Sequence, residues 1–403
     1  MKRRALIAGI CLSLFGLAVA RPAAADDKTI TIGFAVAFSG WEAAYDAEAT
    51  KMAKLWIDQT NAAGGLLGKQ IKVLEADTKS DRAEGAKAGQ RMVEGGASLV
   101  FVTADYDYGA PAALQASKAG RMSVFLAASD PKAGIFGVGP LAFTTTDAGQ
   151  TEGATMAEWG YTQKGYRRGY VLLDENLEYN KSVCAGYEWA FAKAGGKIVG
   201  RDTFKNGDAT VSSQVTRLAD AVRNGGVDNI MLCTVTPGGA SAIRQIRAAG
   251  INTPILNGSG MDGSYWLGAV PNLSNFYVPV QAAVVGDPNA DVNALTAAYK
   301  KKYGAAPSTQ YAYPVYAFLQ LWAKAVNETK SSDPVVITKK LETYKDVPTV
   351  LGPRTFSSTS HIQTRVLLSI VETNNGVQKV VGTWRLSTDI PNQVLYRMKA
   401  AGN

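Results

Sequence analysis

Short runs with strand character alternate with longer runs with helix character along this chain, and the alternation begins twice. Residues 29–38 are apolar and rich in β-branched side chains, the pattern of a buried strand. Residues 42–63 follow, with Ala49, Met52, Leu55 and Trp56 at helical spacing. Gly64-Gly65 stops that helix, because glycine accepts the left-handed conformation of a C-cap. Strands at 70–76, 98–103 and 122–127 then alternate with helices at 82–94 and 110–119. The same grammar resumes near Arg168, with strands at 169–173, 197–203, 228–233 and 253–256 and helices at 181–194, 211–223 and 239–249. Parallel strands need crossover helices, so each series predicts its own parallel sheet. The fold class is therefore α/β, with two Rossmann-like lobes.

The tail does not form a third series. Helices are expected at 291–303, 315–329 and 332–344, and a hairpin at 365–371 and 377–384 across Asn374-Asn375-Gly376. These pieces complete both lobes, so the chain crosses between them more than once. One lobe is expected from 26–146 with about 280–355, the other from 147–279 with about 356–403, joined by a multi-strand hinge. Parallel sheets present ligand groups at the carboxyl ends of their strands. Two such edges turned inward make the interlobe cleft the natural small-molecule site. Residues just after strands are thus candidates: Ser129, whose hydroxyl donates and accepts, then Thr234, Ser259 and Asp262.

Residues 1–25 read as a cleaved secretory signal. Lys2, Arg3 and Arg4 make a basic start, 5–20 is mostly apolar, and Ala23-Ala24-Ala25 supplies the small residues before a cut. The apolar run, about 16 residues, falls short of the ~20 that span a bilayer. An earlier cut after Ala20 would leave Arg21-Pro22 just past it. The expected location is the periplasm. Lys2, Arg3, Arg4 and Arg21 leave with the signal, so the 42 basic residues fall to about 38 against 34 acidic ones, and the net charge falls from +8 to about +4. No basic run tracks a nucleic-acid backbone. Cys184 and Cys233 remain after export, placed early in a helix and late in a strand of one sheet. They are either a disulfide or two small buried thiols.

Catalytic patterns are missing. The single histidine, His361, lies in a polar late loop and is expected to be a solvated surface residue. There is no G-x-S-x-G elbow and no H-E-x-x-H, and the chain lacks the His and Cys supply of a metal site. Gly258-Ser259-Gly260-Met261-Asp262-Gly263 fits G-x-G-x-x-G, but it ends a series rather than opening one, and no clear acid closes a following strand. It reads as a glycine-rich cleft loop. No enzyme activity, cofactor or metal is expected; a secreted α/β enzyme is the weaker alternative.

An ordered set of segments resembles the type I periplasmic binding proteins of the branched-chain amino acid and amide ABC transporters. The strand from Ile30 to Phe38 with Ser39-Gly40 and then Tyr45 is similar to the family's opening. Residues 57–69, IDQTNAAGGLLGK, resemble its most recognisable segment, and the acidic stretch 77–81, then 244–250 (RQIRAAG) and Leu351-Gly352-Pro353, also fit. The resemblance implies a binding protein that holds a small organic ligand (an amino acid, amide or aromatic acid) between its lobes and hands it to permease subunits, as a monomer. By position, Tyr45 matches the aromatic lid, Ala127 to Ser129 the loop that holds the ligand's polar head, and Tyr106 the residue that grips a carboxylate. Tyr179 matches the tyrosine that closes from the second lobe, and Tyr311 a late aromatic wall. Trp41 is expected to cap the cleft, and tyrosines of this kind cover an apolar ligand while keeping a hydroxyl for a polar contact. Two departures stand out. Ser259 occupies the position of the acid that pairs a ligand ammonium, with Asp262 later in the loop. Asp105-Tyr106-Asp107-Tyr108 replaces a small polar run, and two acids there oppose a ligand carboxylate. An aromatic acid, an amide or another planar solute is therefore as open as a branched-chain amino acid, and a sensing partner could use the same cleft.

Overall fold

The computed structural model describes residues 28–398, so the expected signal lies outside the described residues. The first series forms β1 (Thr29–Val36), α1 (Ala43–Ala62), β2 (Gln70–Asp77), α2 (Arg82–Glu94), β3 (Leu99–Val102), α3 (Tyr106–Lys118), β4 (Met122–Phe125) and β5 (Ala142–Thr144). Their strands make one parallel sheet in the order β2-β1-β3-β4-β5. Phe34 stacks on Phe101 at 5.2 Å across β1 and β3, and β3 and β4 are buried at every residue. That is what a sheet covered on both faces demands.

The second series is α4 (Gly149–Gln163), β6 (Arg168–Asp174), α5 (Glu178–Ala194), β7 (Lys197–Phe204), α6 (Ser212–Arg223), β8 (Asn229–Cys233), α7 (Gly238–Ala248), β9 (Ile255–Leu256) and β10 (Phe276–Val280). The chain continues through α8 (Ala290–Tyr303), α9 (Pro314–Thr329), α10 (Pro334–Leu341), β11 (Leu368–Asn374), β12 (Val377–Trp384) and α11 (Asn392–Leu395). The second sheet runs β12-β11-β10-β9-β8-β6-β7. Its β7 to β10 portion is parallel, while β11 and β12 add antiparallel strands at one edge. The hairpin turn is Asn375-Gly376, both at positive φ, the geometry that a two-residue hairpin loop requires. Helices α4 and α5 lie unusually close, because a side chain at Gly153 or Gly186 would strike the backbone of the facing helix. Cys184 on α5 and Cys233 at the end of β8 form a disulfide, with Cα atoms 5.8 Å apart.

The tail serves both lobes. Helices α8 and α9 pack on α1, over the first sheet, while β10 to β12 widen the second. The chain therefore passes between the sheets after β5, after β10 and before β11. Where these passages meet, buried polar side chains tie them together. Gln281 Nε2 donates to Thr146 Oγ1 (2.6 Å) and Asp147 Oδ1 (2.7 Å), and Arg354 donates to Gln281 Oε1. Asp147 bridges to Gln363 along the backbone. Burial raises the Asp147 carboxyl to about 6 and lowers the Arg354 guanidinium to about 10.

His361 corrects a sequence expectation. It is buried rather than solvated. Its ring stacks on Phe143 at 3.7 Å, Nδ1 lies 2.8 Å from the Ala142 carbonyl, and Nε2 lies 3.2 Å from Glu342. The polar loop folds back along β5, where Thr144 N–H donates to the His361 carbonyl. Local polarity could not disclose that docking.

Candidate functional site

Both sheets change direction next to their first strand. In the first sheet β2 lies on one side of β1 and β3 on the other; in the second, β7 and β8 flank β6. Loops leaving the carboxyl ends at such a point splay apart and open a crevice. The two crevices face each other and enclose a narrow cleft lined from both lobes.

The wall from the first lobe comes from the loops after β1, β3 and β4. Trp41, Glu42 and Tyr45 stand at the start of α1, Ala104 and Asp105 precede α3, and Ala127 and Ser129 follow β4. The second lobe adds Leu177 and Tyr179 at the start of α5 and Val235 after β8, and Tyr311 precedes α9. The aromatic rings interlock. Tyr45 meets Trp41 at 6.2 Å and Tyr311 at 5.2 Å, both edge-on, the geometry that the ring quadrupole favours.

Hydrogen bonds carry the cleft across the lobe boundary. Tyr45 Oη lies 2.8 Å from Thr236 Oγ1 and donates to the Gly260 carbonyl at 3.1 Å. Tyr179 donates to Glu152 Oε2 at 2.7 Å and accepts from Gly260 N–H at 2.8 Å. Glu152 also accepts from the N–H and hydroxyl of Ser259, and that hydroxyl lies 3.1 Å from Tyr311 Oη. Burial, reinforced by the charge of Asp147, pushes the Glu152 carboxyl up to about 8. Near the cleft mouth Asp107 accepts from Glu178 N–H, Ser182 donates to Asp130, and Lys132 pairs with Glu178 at 2.6 Å. The lobes are closed on one another.

The glycine-rich loop has a packing reason for its glycines. A Cβ at Gly258 would come within 2.7 Å of Glu152 Oε2 and closer still to the Tyr179 hydroxyl, and one at Gly260 would sit 2.8 Å from the Tyr179 ring. The N–H groups of Ser259 and Gly260 are spent on Glu152 and Tyr179. A loop whose amides are consumed internally cannot cradle a pyrophosphate.

Of the residues singled out from sequence, Trp41, Tyr45, Ala127, Ser129, Tyr179 and Tyr311 are brought together around the cleft. Ser259 stands one hydrogen bond behind Tyr311. Three others sit apart from the lining. Tyr106 is the first residue of α3, which Asp105 caps, and its ring turns towards Phe125, centroids 6.2 Å apart. Thr234 points back to Asp174 at 2.9 Å, tying β8 to β6. Asp262 accepts from Thr309 Oγ1 (2.7 Å) and Gln310 N–H, anchoring the segment that carries Tyr311; burial lifts its carboxyl to about 7.

Sequence reasoning did not select Glu42, Asp105, Glu152 or Val235. Glu42 is adjacent to Trp41, so proximity to the strand end could have flagged it. Asp105 belongs to the acidic departure already noted. Glu152 lies inside α4 with no local signal. Both Glu42 and Asp105 are buried. Burial raises the Glu42 carboxyl well above its ordinary range, and neighbouring Asp105 adds to it; burial and Asp107 do the same to Asp105.

The sequence profile of the periplasmic binding protein family matches residues 29–376. The Leu/Ile/Val-binding protein of Citrobacter freundii is 26% identical over 361 residues, 88% of this chain and 92% of its own. The branched-chain amino acid transporter substrate-binding protein LivJ of Streptococcus pneumoniae, solved with isoleucine, superposes with a TM-score of 0.77 at 28% identity, covering 89% of this chain and 99% of that one. A solute-binding protein of an ABC transporter from Rhodopseudomonas palustris, solved with 3,4-dihydroxybenzoic acid, superposes with a TM-score of 0.73 at 18% identity, covering 90% and 99%. A match over nearly the whole described chain, on two sheets meeting at one crevice, leaves a single conclusion: the chain belongs to the periplasmic binding protein family.

Proposed function

We propose that this protein is the extracytoplasmic substrate-binding component of an ABC importer, that it closes its two lobes on a small amino-acid-like or related organic solute, and that it delivers that solute to membrane permease subunits. It is exported by its first 25 residues, works as a monomer and catalyses no reaction. The observation that carries this reading is the cleft itself. Its walls come from strand ends of both sheets, and Tyr45 of the first lobe bonds across it to Thr236 and the Gly260 carbonyl of the second. A pocket built half from each lobe binds only when the lobes are together, so occupancy and closure are one event. The relatives' ligands span a zwitterion, isoleucine, and an aromatic acid, 3,4-dihydroxybenzoic acid. The aromatic walls here suit an apolar or planar ligand body.

The test is thermal unfolding of the mature protein against a broad collection of small metabolites. A ligand that binds only the folded state stabilises it by about 2.7 kcal/mol at a hundredfold excess over Kd. At least one solute is expected to raise Tm and to be recovered unchanged. A collection with no such solute, or a solute consumed by the protein, overturns the reading.

A further inference from the structure

Among the described residues, the two acids in the cleft wall have no cation beside them. Glu42 and Asp105 both line the cavity, and both come from the first lobe. Glu42 stands at the N-terminal boundary of α1 without capping it. It is 1% exposed, and its Oε1 is buried with no hydrogen-bond partner. Asp105 directs one oxygen to Asp107 N–H at 2.7 Å. Among the described residues neither acid forms an ion pair, and no lysine, arginine or histidine lines the cleft. An unpaired buried carboxylate is costly, and evolution rarely leaves one facing a cavity without a counter-charge to meet it.

The same wall is poorly equipped for an anion. The backbone amide at the start of α3 is where a ligand carboxylate would gain a helix N-terminus. Here that amide is already occupied by the Asp105 side chain. The hydroxyls of Tyr45 and Tyr179 are committed to the second lobe. What remains is a cage of aromatic faces, Trp41, Tyr45, Tyr179 and Tyr311, closed on one side by carboxyl groups. Aromatic faces with an adjacent carboxylate attract a desolvated ammonium, through the ring quadrupole and through charge.

We propose, building on the binding reading above, that the head group recognised in this cleft is an organic cation, a protonated or quaternary amine with a small apolar body, held by Glu42 and Asp105 within the aromatic cage. A ligand carboxylate is not required. Burial and then the neighbouring acids push both carboxyls upward, and a bound cation restores their charged form.

The experiment compares four probes of similar size by calorimetry and thermal unfolding: 2-phenylethylamine and choline as cations, leucine as zwitterion, and benzoate as anion. Solute released on gentle denaturation of freshly purified protein is identified in parallel by mass spectrometry. The expected result is binding of at least one cation at least tenfold tighter than leucine or benzoate, or release of a cationic amine lacking a carboxylate. Glu42→Gln is expected to weaken cation binding at least tenfold while leaving the Tm of the unliganded protein unchanged or higher. A merely structural Glu42 would instead lower that Tm and leave affinity intact, which overturns the assignment. Asp105→Asn, tested the same way, serves where Glu42→Gln does not fold. Binding of leucine or benzoate in preference to both cations, or release of an acid, overturns the cation proposal while the binding function stands. No response to either cation together with no released solute overturns the cation proposal, and the binding function is then decided by the broad metabolite collection.

Discussion

Tyrosines in and around the cleft divide into those that present a surface and those that complete a network, and their burial alone does not separate them. Tyr179 is 6% exposed and Tyr45 4%, yet their hydroxyls do different things. Tyr45 joins the lobes through Thr236 and the Gly260 carbonyl. Tyr179 stands between two groups that need it, the buried Glu152 carboxyl and the Gly260 N–H. Removing one partner from a buried hydrogen bond costs about 1–3 kcal/mol. Tyr179→Phe is therefore expected to lower the stability of the unliganded protein by about that amount, read from urea unfolding midpoints at constant slope. Ser129 offers the contrast. Its hydroxyl has only a long contact, 3.5 Å, to the Ala127 carbonyl. Ser129→Ala is expected to change unliganded stability by less than about 0.5 kcal/mol and to show itself in ligand affinity. Equal stability losses in the two variants would contradict this division. Strand-end position and residue type were enough to propose both residues. Their roles depend on Glu152 and Gly260, which are distant in sequence.

Among the elements, the long periodic ones were legible and the short or covered ones were not. Helix α1 runs Ala43–Ala62 against an expected 42–63, and α2 runs Arg82–Glu94 as expected. Helix α3 starts at Tyr106 rather than 110 because the Asp105 side chain caps it, a signal present in the sequence but masked by Gly109 and Pro111. Helix α4 went unread because it is buried nearly all round and its small residues, Gly149, Gly153 and Gly160, carry no amphipathic stripe. β5 and β10 are short strands; β10 is finished by β11 and the free edge of β5 by the His361 carbonyl, both far along the chain. The passages between the lobes have no period at all. Gln281 serves Thr146, Asp147, Arg354 and, through its backbone N–H, Gln310. Gln281→Leu keeps the volume and deletes the side-chain bonds, stranding buried polar groups on two other segments. We expect a loss on the order of 3 kcal/mol in unfolding free energy, with a change in the rate of closure seen by stopped-flow fluorescence. A loss below about 1 kcal/mol would mean that these side chains are not what couples the passages.

At the scale of the molecule, closure is distributed over contacts of unequal worth. Lys132 pairs with Glu178 across the cleft mouth, but the lysine side chain is 36% exposed, and pairs of that kind contribute about 0–1 kcal/mol. The Tyr45 bonds lie in a buried setting and lack that screening. Lys132→Met is therefore expected to weaken ligand binding by no more than about fivefold, with the effect fading at high salt. Tyr45→Phe is expected to weaken it by about tenfold at any salt, equivalent to about 1.4 kcal/mol. Calorimetric titrations at low and high salt decide between these outcomes, and a reversed order would place closure in the surface pair. Two α/β lobes, an interlobe cleft and a tail shared between them follow from the sequence alone, because hydrophobic period and glycine stops are local and each period admits one kind of element. The tertiary structure alone decided which polar groups meet. Glu152 under the glycine-rich loop and His361 folded onto Phe143 are pairings across long stretches of chain, and the assembled cleft leaves Glu42 Oε1 with no hydrogen-bond partner among the described residues. A side chain's charge and hydrogen bonds depend on its neighbours in space, and the sequence orders only its neighbours along the backbone.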